Sequence, residues 1–200
     1  MFYETSKNDH GLPFNPFKAI VSPRPIGWIS SVDLEGRANL APYSFFNAIG
    51  DTPPIVMFSS TGYKDSVSNI DETGEFVCNM VSWDLKDGMN TSSAPLPHGE
   101  SEFEAAKLEM AESKLVSVPR VASAYSALEC KHLKTENMRD LDGNETGSYV
   151  VFGQVVAVHV ADEVLTDGRF DVTKVRPLSR LGYKDYAVVN EVFEMGRPGA

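Results

Sequence analysis

Short segments rich in β-branched and aromatic residues, separated by residues that favour turns, are the feature that most constrains how this chain can fold. The first clear example lies at residues 26–32, and residues 38–42 follow it after a turn-forming stretch at residues 33–37. Strand-forming residues on both sides of such a turn predict a β-hairpin. Residues 55–60 predict a further strand, because two prolines directly precede them and the stretch has the length of a strand.

Clear start and stop signals for a helix occur at residues 64–74. Asp65 is a good N-cap residue, Val67 and Ile70 are three residues apart on one face, and Gly74 suits the left-handed position just after a helix. This stretch therefore predicts a helix of two turns.

Four more segments predict strands: residues 75–81, 127–135, 148–160 and 186–192. Gly153 inside the third of them predicts a bulge or a barrel bend. Short strands with few helices favour an antiparallel β-barrel or sandwich with peripheral helices. They argue against a parallel α/β sheet with regular crossover helices. The chain is thus predicted to be mainly β.

Turns, a loop and one more short helix are predicted between these strands. Residues 140–147 and 167–169 predict turns, and residues 1–16 predict a loosely ordered arm. Ser101 and Glu104 have the spacing of a capping box, for a helix that ends at residue 109. The two prolines and two serines of residues 89–99 predict a long loop, which is either a functional lid or an irregular excursion.

The amino-acid composition limits the classes of protein to which this chain can belong. With 42% hydrophobic and 23% charged residues, 200 residues suit one globular domain with its own core. No apolar run approaches the roughly 18 residues of a membrane span, and residues 1–10 are too polar for a secretory leader. Two distant cysteines, Cys78 and Cys130, fit a reducing compartment and exclude a disulfide framework. We therefore expect a cytoplasmic protein.

A net charge of -10 argues against binding to nucleic acid or to an anionic membrane surface. Any anionic ligand must be met by a local group of cations or backbone N–H groups.

Several catalytic motifs are absent from the sequence. It contains no G-x-G-x-x-G dinucleotide fingerprint, no G-K-[ST] phosphate loop and no G-x-S-x-G nucleophile elbow. Its four histidines are scattered, with no H-E-x-x-H pair, so no metal site is predicted. His159 could contact the phosphate of an electron donor, but an isolated histidine in an apolar strand is more often a structural residue. The two cysteines are expected to be packing residues.

Two segments are candidates for binding an anionic cofactor. At residues 64–66 the free N–H groups of a helix start, a lysine and a hydroxyl come together, although an ordinary capped surface helix would look the same. The predicted hairpin places small polar residues, Ser30, Ser31, Asn39 and Ser44, among aromatic ones. They would let a flat ligand approach the backbone, or they form the polar face of a strand.

The run from Pro23 to Phe46 closely resembles the signature of the flavin reductase-like family of FMN-binding split-barrel proteins, in its flavoredoxin-like branch. It reads P-R-P-I-G-W-I-S-S-x-D-x-x-G-x-x-N-L-A-P-Y-S-F-F. The resemblance continues through most of the chain, in Pro53-Pro54, Lys64-Asp65-Ser66, Asn69-Ile70, Thr73-Gly74-Glu75-Phe76, Asn79, Leu128-Glu129-Cys130, residues 153–159 and Leu178-Ser179-Arg180-Leu181-Gly182.

This resemblance implies a fold, a cofactor and an oligomeric state. The whole chain, residues 1–200, would be one split-barrel domain of about six strands in a Greek key, usually a homodimer with FMN near the subunit interface. FAD is a less favoured cofactor. Lys64 and Ser66 would hold the phosphate, and Ser66 stands where the family often has threonine. The full implied cofactor set is Trp28, Ile29, Ser30, Ser31, Asn39, Ala41, Pro42, Tyr43, Ser44, Asn47, Ser59, Ser60, Lys64 and Ser66, with Arg180 and Tyr183 as further contributors.

The chemistry of such a protein belongs to the flavin, so no catalytic side chain is predicted. The leading hypothesis is an FMN-containing oxidoreductase of the flavin reductase class that takes electrons from NAD(P)H or from a protein donor. A flavoredoxin-like electron carrier without a nicotinamide substrate is a second hypothesis, and a small-molecule-binding barrel without redox activity is a third. The sequence does not separate the first two.

Overall fold

The computed structural model describes residues 1–97 and 100–199. Its strands lie throughout the chain, and the bounds of the first seven are β1 (Arg24–Pro25), β2 (Gly27–Val32), β3 (Ala38–Tyr43), β4 (Phe46–Asp51), β5 (Pro54–Thr61), β6 (Glu75–Met80) and β7 (Met110–Ala111). The others are β8 (Arg120–Val121), β9 (Ser126–Arg139), β10 (Glu145–Val160), β11 (Leu165–Thr166), β12 (Arg169–Phe170), β13 (Leu178–Arg180) and β14 (Tyr186–Val188).

The helices are short. They are α1 (Phe17–Ile20), α2 (Asp65–Thr73), α3 (Lys86–Thr91), α4 (Glu102–Ala105) and α5 (Val172–Val175), with 3₁₀ turns at Trp83–Leu85 and Asp162–Val164. None of the helices in the described part of the chain has the length and apolar character needed to cross a bilayer. The prediction of a mainly β chain with peripheral helices is confirmed.

Seven strands form one antiparallel sheet in the order β3-β2-β6-β9-β10-β5-β4. Its outer strands, β3 and β4, are joined in sequence by only Ser44 and Phe45. Three Cα–Cα steps span at most about 11 Å, so the two edges of the sheet must lie close together. No ladder joins these edges within the described residues. The sheet is therefore curled into an open barrel, with one strand more than the predicted six.

The hairpin of β2 and β3 forms as predicted, with Gly27 opposite Tyr43 and Val32 opposite Ala38. Its turn is fixed by Asp33, whose Oδ1 accepts hydrogen bonds from the backbone N–H groups of Glu35 and Arg37 at 3.0 and 2.8 Å. The predicted strand at residues 55–60 is also confirmed, as β5.

Helix α2 forms as predicted, except at its first residue. The N-cap position is occupied by Lys64, with Asp65 as the first helical residue, and no side chain caps the N-terminus. Gly74 ends the helix at φ +74°, in the left-handed region that glycine tolerates best. Val67 and Ile70 are fully buried under the helix, against the barrel.

The long β9–β10 hairpin bends at Gly153, where the register with β9 shifts. A Cβ atom at this position would lie 2.3 Å from Cζ of Phe76, which is too close for any other residue. The predicted bulge is therefore confirmed by the register shift, and the close approach of the Phe76 ring explains why the residue here is glycine. The turn predicted at residues 167–169 is confirmed between β11 and β12.

Three predicted boundaries are wrong. The capping-box helix ends at Ala105 rather than at residue 109, and Ser101 makes no capping hydrogen bond. Residues 89–91 belong to α3, so the predicted loop begins later; His98 and Gly99 at its end lie outside the described residues. The last strand ends at Val188, not at residue 192.

Candidate functional site

A pocket of about 330 Å³ lies between β3, the start of α2 and the chain that follows α3. We call it the hairpin pocket. Its lining residues in the described part of the chain are Asn39, Ala41, Pro42, Tyr43, Lys64, Asp65, Ser66, Ser92, Ser93, Ala94, Pro95, Leu96 and Glu102. The volume is at the lower end of the range for small-molecule sites, roughly 300 to 1,000 Å³. The two segments that the sequence singles out, the hairpin and the helix start, therefore meet at one pocket.

Hydrogen bonds connect β3 to the first turn of α2. The side-chain amide of Asn39 donates to the Ser66 hydroxyl at 2.8 Å. Tyr43 is buried and shares hydrogen bonds with the hydroxyls of Ser66 and Ser60. Burial raises the pKa of its phenol, so the phenol remains protonated at neutral pH. Ser60 also donates to the carbonyl of Gly62 at 2.9 Å. This network fixes the wall of the pocket before any ligand binds.

Charges of both signs line the hairpin pocket. Lys64 is exposed at the N-terminus of a nine-residue helix, where the helix dipole is positive. On the other wall, Glu102 accepts a hydrogen bond from the backbone N–H of Leu40 at 3.0 Å. Burial raises the pKa of Glu102, and the nearby charge of Asp65 raises it further. An anion held by Lys64 would therefore add to the negative field at Glu102.

The structure places the predicted residues of β2 differently. The side chains of Trp28, Ile29, Ser30 and Ser31 are fully buried and do not line the hairpin pocket. Trp28 donates from Nε1 to the Ser92 hydroxyl at 2.9 Å. These side chains belong to the core beneath the pocket rather than to its surface.

Four other predicted residues also lie outside the hairpin pocket. Ser44 lines a neighbouring pocket, described below. Asn47 is exposed on β4, where its side chain accepts the N–H of Ala48 at 2.9 Å. Ser59 faces away from the pocket on β5, and its N–H donates to the carbonyl of Phe45. Ser60 contributes indirectly, through its hydrogen bond to Tyr43.

The neighbouring pocket, of about 390 Å³, shares Pro42 and Ser93 with the hairpin pocket. We call it the arginine pocket. Its described lining residues are Ile26, Pro42, Ser44, Met89, Asn90, Ser93, Arg180 and Tyr186.

Residues 92–96 and Glu102 form the third wall of the hairpin pocket, and the sequence does not predict this wall. The prediction of a long loop includes residues 92–96, but it gives no indication of where the loop packs. Glu102 contacts Leu40, 62 positions away, and no local pattern signals such a contact.

His159 has a structural role, away from both pockets. Its Nε2 lies 2.5 Å from Oε1 of Glu129, which is fully buried and also accepts backbone N–H groups from Lys114, Leu115 and Val116. Burial alone would raise the pKa of Glu129, but the contacts with His159 and these N–H groups hold it below its ordinary value.

The metal-ligating side chains of the described residues do not gather at one place. Among residues 1–97 and 100–199, no group of three or more His, Cys, Asp or Glu side chains is close enough together to hold a metal ion. Both cysteines are buried and free, and burial raises the pKa of the Cys78 thiol, so it is a packing residue rather than a nucleophile.

Comparison with known proteins identifies the class of this fold and site. Residues 21–184 match the family described as "Flavin reductase like domain", which covers most of the chain. The chain belongs to the flavin reductase-like family. The resemblance carried by the run from Pro23 to Phe46 is therefore confirmed.

Among solved structures, nitrilotriacetate monooxygenase component B from Bacillus cereus is similar with a TM-score of 0.88 and 32% identity, covering 98% of each chain. The 2-nitrobenzoate 2-nitroreductase NbaA from Pseudomonas fluorescens has a TM-score of 0.87 and 29% identity, covering 100% of this chain and 97% of that one. Flavoredoxin of Desulfovibrio vulgaris (Miyazaki F), at 19% identity and a TM-score of 0.79 over 90% of this chain and 93% of its own, shares the fold.

Proposed function

We propose that the hairpin pocket binds FMN and that the protein is a flavin-dependent oxidoreductase. One observation supports this proposal: Lys64, Ser66 and the N-terminus of α2 lie together at a pocket that is lined on another side by the small side chains of β3. An ammonium group, a hydroxyl and the backbone N–H groups of a helix N-terminus are the donors that a phosphate monoester requires. The residues present therefore fit the cofactor.

The remaining lining residues suit the rest of such a ligand. Ala41 and Pro42 have small side chains, so a flat ring could lie close to the backbone of β3. Asn39 and Tyr43 are held by their hydrogen bonds to Ser66 and would orient the ligand rather than react with it. When bound, the flavin supplies the redox chemistry, accepting and passing on a hydride or electrons. The chain supplies binding, orientation and exclusion of water.

Reduction by NADH or NADPH is the favoured form of this function. The family, and a similar protein whose name makes it a component of a monooxygenase, support a reductase. Because the sequence has no dinucleotide-binding motif, a nicotinamide nucleotide would bind against the flavin itself or in the adjoining arginine pocket.

Spectroscopy of the purified protein tests both parts of the proposal. The protein should be yellow, or become so with added FMN, and should release FMN on denaturation. Under anaerobic conditions, excess NADH or NADPH should bleach the flavin absorbance. A protein that takes up no flavin would refute the cofactor assignment. If dithionite bleaches the flavin and neither nucleotide does, the protein is an electron carrier instead.

We also propose a cytoplasmic homodimer. The two free cysteines support a reducing compartment, and the family resemblance supports the dimer. Light scattering at micromolar concentration should give about twice the 21.9 kDa mass of the chain. A flavin-loaded monomer would contradict the dimer.

A further inference from the structure

The arginine pocket is large enough to hold a second small molecule beside the hairpin pocket. Its volume, about 390 Å³, is similar to the 330 Å³ of its neighbour, and Pro42 and Ser93 form part of the boundary of both. A molecule bound there would lie next to whatever occupies the hairpin pocket. The position is that expected for the reaction partner of a bound cofactor.

The two pockets differ in charge. The hairpin pocket contains Lys64 together with two carboxylates, those of Asp65 and Glu102. The arginine pocket has one ionised side chain, Arg180, and none of its eight described lining residues is acidic. In a chain with a net charge of -10, this pocket has a charged lining that is only positive. It attracts anions, which the rest of the surface repels.

Arg180 lies on β13, the middle strand of a three-stranded sheet in the order β1-β13-β14, and its neighbours hold it in position. It lies opposite Tyr186 on β14, and its guanidinium stacks 4.5 Å from the centre of that ring. Its Nη2 donates to the carbonyl of Tyr183 at 2.5 Å. One donor of the guanidinium is used in this way, which leaves other N–H groups of the fork for a ligand.

Arg24, opposite Arg180 on β1, strengthens the positive charge of this region. It is buried, and it donates to the main-chain carbonyls of Lys18, Val21 and Leu181. Burial lowers the pKa of Arg24, and the neighbouring charge of Arg180 lowers it further. Arg24 is therefore a structural cation, whereas Arg180 lines the pocket. An oxyanion bound at Arg180 would relieve the repulsion between the two.

We propose that the arginine pocket binds the electron donor or acceptor of the flavin, and that Arg180 recognises an oxyanion, a carboxylate or a phosphate, on that molecule. A planar guanidinium is the side chain best suited to such groups, because it can donate two parallel hydrogen bonds to them. Tyr186 and Met89 offer contact surface to the uncharged part of the ligand. This inference rests on the proposed function, since it places the second ligand beside a bound flavin.

Calorimetric titration of the flavin-loaded protein with two matched pairs of probes tests the inference. One pair is benzoate and benzamide; the other is nicotinamide mononucleotide and nicotinamide riboside. Within each pair the compounds differ mainly in one anionic group. Because a hydrogen bond to a charged group is worth roughly 1.5–3 kcal/mol, the anionic member of at least one pair should bind roughly 10- to 100-fold more tightly. A preference for benzoate identifies a carboxylate ligand, and a preference for the mononucleotide identifies a phosphate ligand.

Arg180→Ala should remove this preference while leaving the binding of benzamide, the neutral probe, nearly unchanged. Arg180→Lys keeps the charge without the planar fork, so it should retain part of the preference; it also serves if the alanine variant folds poorly. Arg169→Ala, at a side chain that is 83% exposed on β12, is the matched control and should bind like the wild type.

Flavin uptake is measured first in every variant, so the two proposals fail separately. A wild-type protein that takes up no flavin would refute the proposed function. A flavin-loaded wild type that binds the two members of each pair equally, or binds none of the probes, would overturn the assignment of the arginine pocket. So would an anion preference that persists in Arg180→Ala.

Discussion

Strands β2 and β3 are the two halves of one hairpin, yet they have different roles. Both contain six residues and pair along their full length. On β2, every side chain from Trp28 to Ser31 is fully buried, whereas on β3 Asn39, Ala41 and Pro42 remain partly exposed in the hairpin pocket. The difference comes from position in the sheet, because β2 lies between β3 and β6 and is covered by α2, while β3 is the outer strand. Neighbouring residues of one motif thus lie in the core on one strand and line a pocket on the other.

The polar residues of β2 support this division. Ser30 donates to the carbonyl of Pro119 at 2.7 Å, and Ser31 accepts a hydrogen bond from Asn69 of α2 at 3.2 Å. Their hydroxyls have partners inside the protein, as buried polar groups require. β2 therefore determines where β3 and α2 lie, and those two elements form the pocket.

The largest effect is expected from a change in β2. Ile29→Ala should lower the free energy of unfolding by about 2–5 kcal/mol, because Ile29 is fully buried in the barrel core and the variant leaves a cavity. Chemical denaturation measures this loss. Ile49→Ala is the matched control, since Ile49 is 51% exposed on β4 and should change stability little. Flavin affinity of the folded Ile29→Ala protein should stay close to that of the wild type; a large loss of affinity without destabilisation would place β2 side chains in the site.

A smaller effect, on FMN affinity rather than on stability, is expected from Lys64→Ala. The variant should bind FMN roughly 10- to 100-fold more weakly, because one charged hydrogen bond is worth roughly 1.5–3 kcal/mol. Its stability should hardly change, since Lys64 is exposed at the start of α2. Titration of the apoprotein with FMN measures the effect, with Lys7→Ala in the N-terminal arm as the control. Unchanged affinity would move the phosphate site elsewhere.

The smallest effect, and one that depends on pH, is expected from Glu102→Gln. Burial raises the pKa of Glu102, so its carboxyl is neutral at low pH and becomes charged as the pH rises through that raised value. A charged carboxylate in the pocket opposes an anionic ligand. At neutral pH the variant should therefore bind FMN more tightly, by roughly 2- to 5-fold, as for a partly screened charge pair.

Lowering the pH should close the gap between the Glu102→Gln variant and the wild type. Riboflavin, which lacks the phosphate, is the matched ligand and should show little dependence on this residue. A difference in FMN affinity that is the same at every pH would mean that Glu102 acts through its hydrogen bond to Leu40 and not through its charge. The raised pKa also means that Glu102 favours folding most below the ordinary glutamate value of about 4.3, and less as the pH rises.

The elements that can be predicted from the sequence are those determined by local residues. The hairpin, α2 and the bulge at Gly153 each follow from residues within a few positions of one another, namely turn formers, apolar periodicity and glycine. The family signature brought the helix start and the hairpin together at one site, which no local pattern does.

No local pattern in the sequence predicts which side chains line the pocket. Ile29 and Ala41 are both small-to-medium apolar residues of the same hairpin, and they lie directly opposite each other. Ile29 is a core residue on β2, which has a strand on each side, whereas Ala41 lines the pocket on the outer strand β3. The third wall, with Ser92 and Glu102, depends on contacts between segments more than fifty positions apart, such as that between Trp28 and Ser92.

The short link of Ser44 and Phe45 has a consequence for how the protein assembles. Strands β3 and β4 are neighbours in the chain but lie at opposite ends of the sheet, and β9 and β10 must be inserted between β6 and β5 before the sheet is continuous. Pairings between such distant segments are slow to form, because loop closure precedes the gain from contact. During synthesis, residues 39–66 leave the ribosome long before residues 126–160. The pocket residues of β3 and α2 are therefore synthesised before the β9–β10 hairpin that completes the barrel.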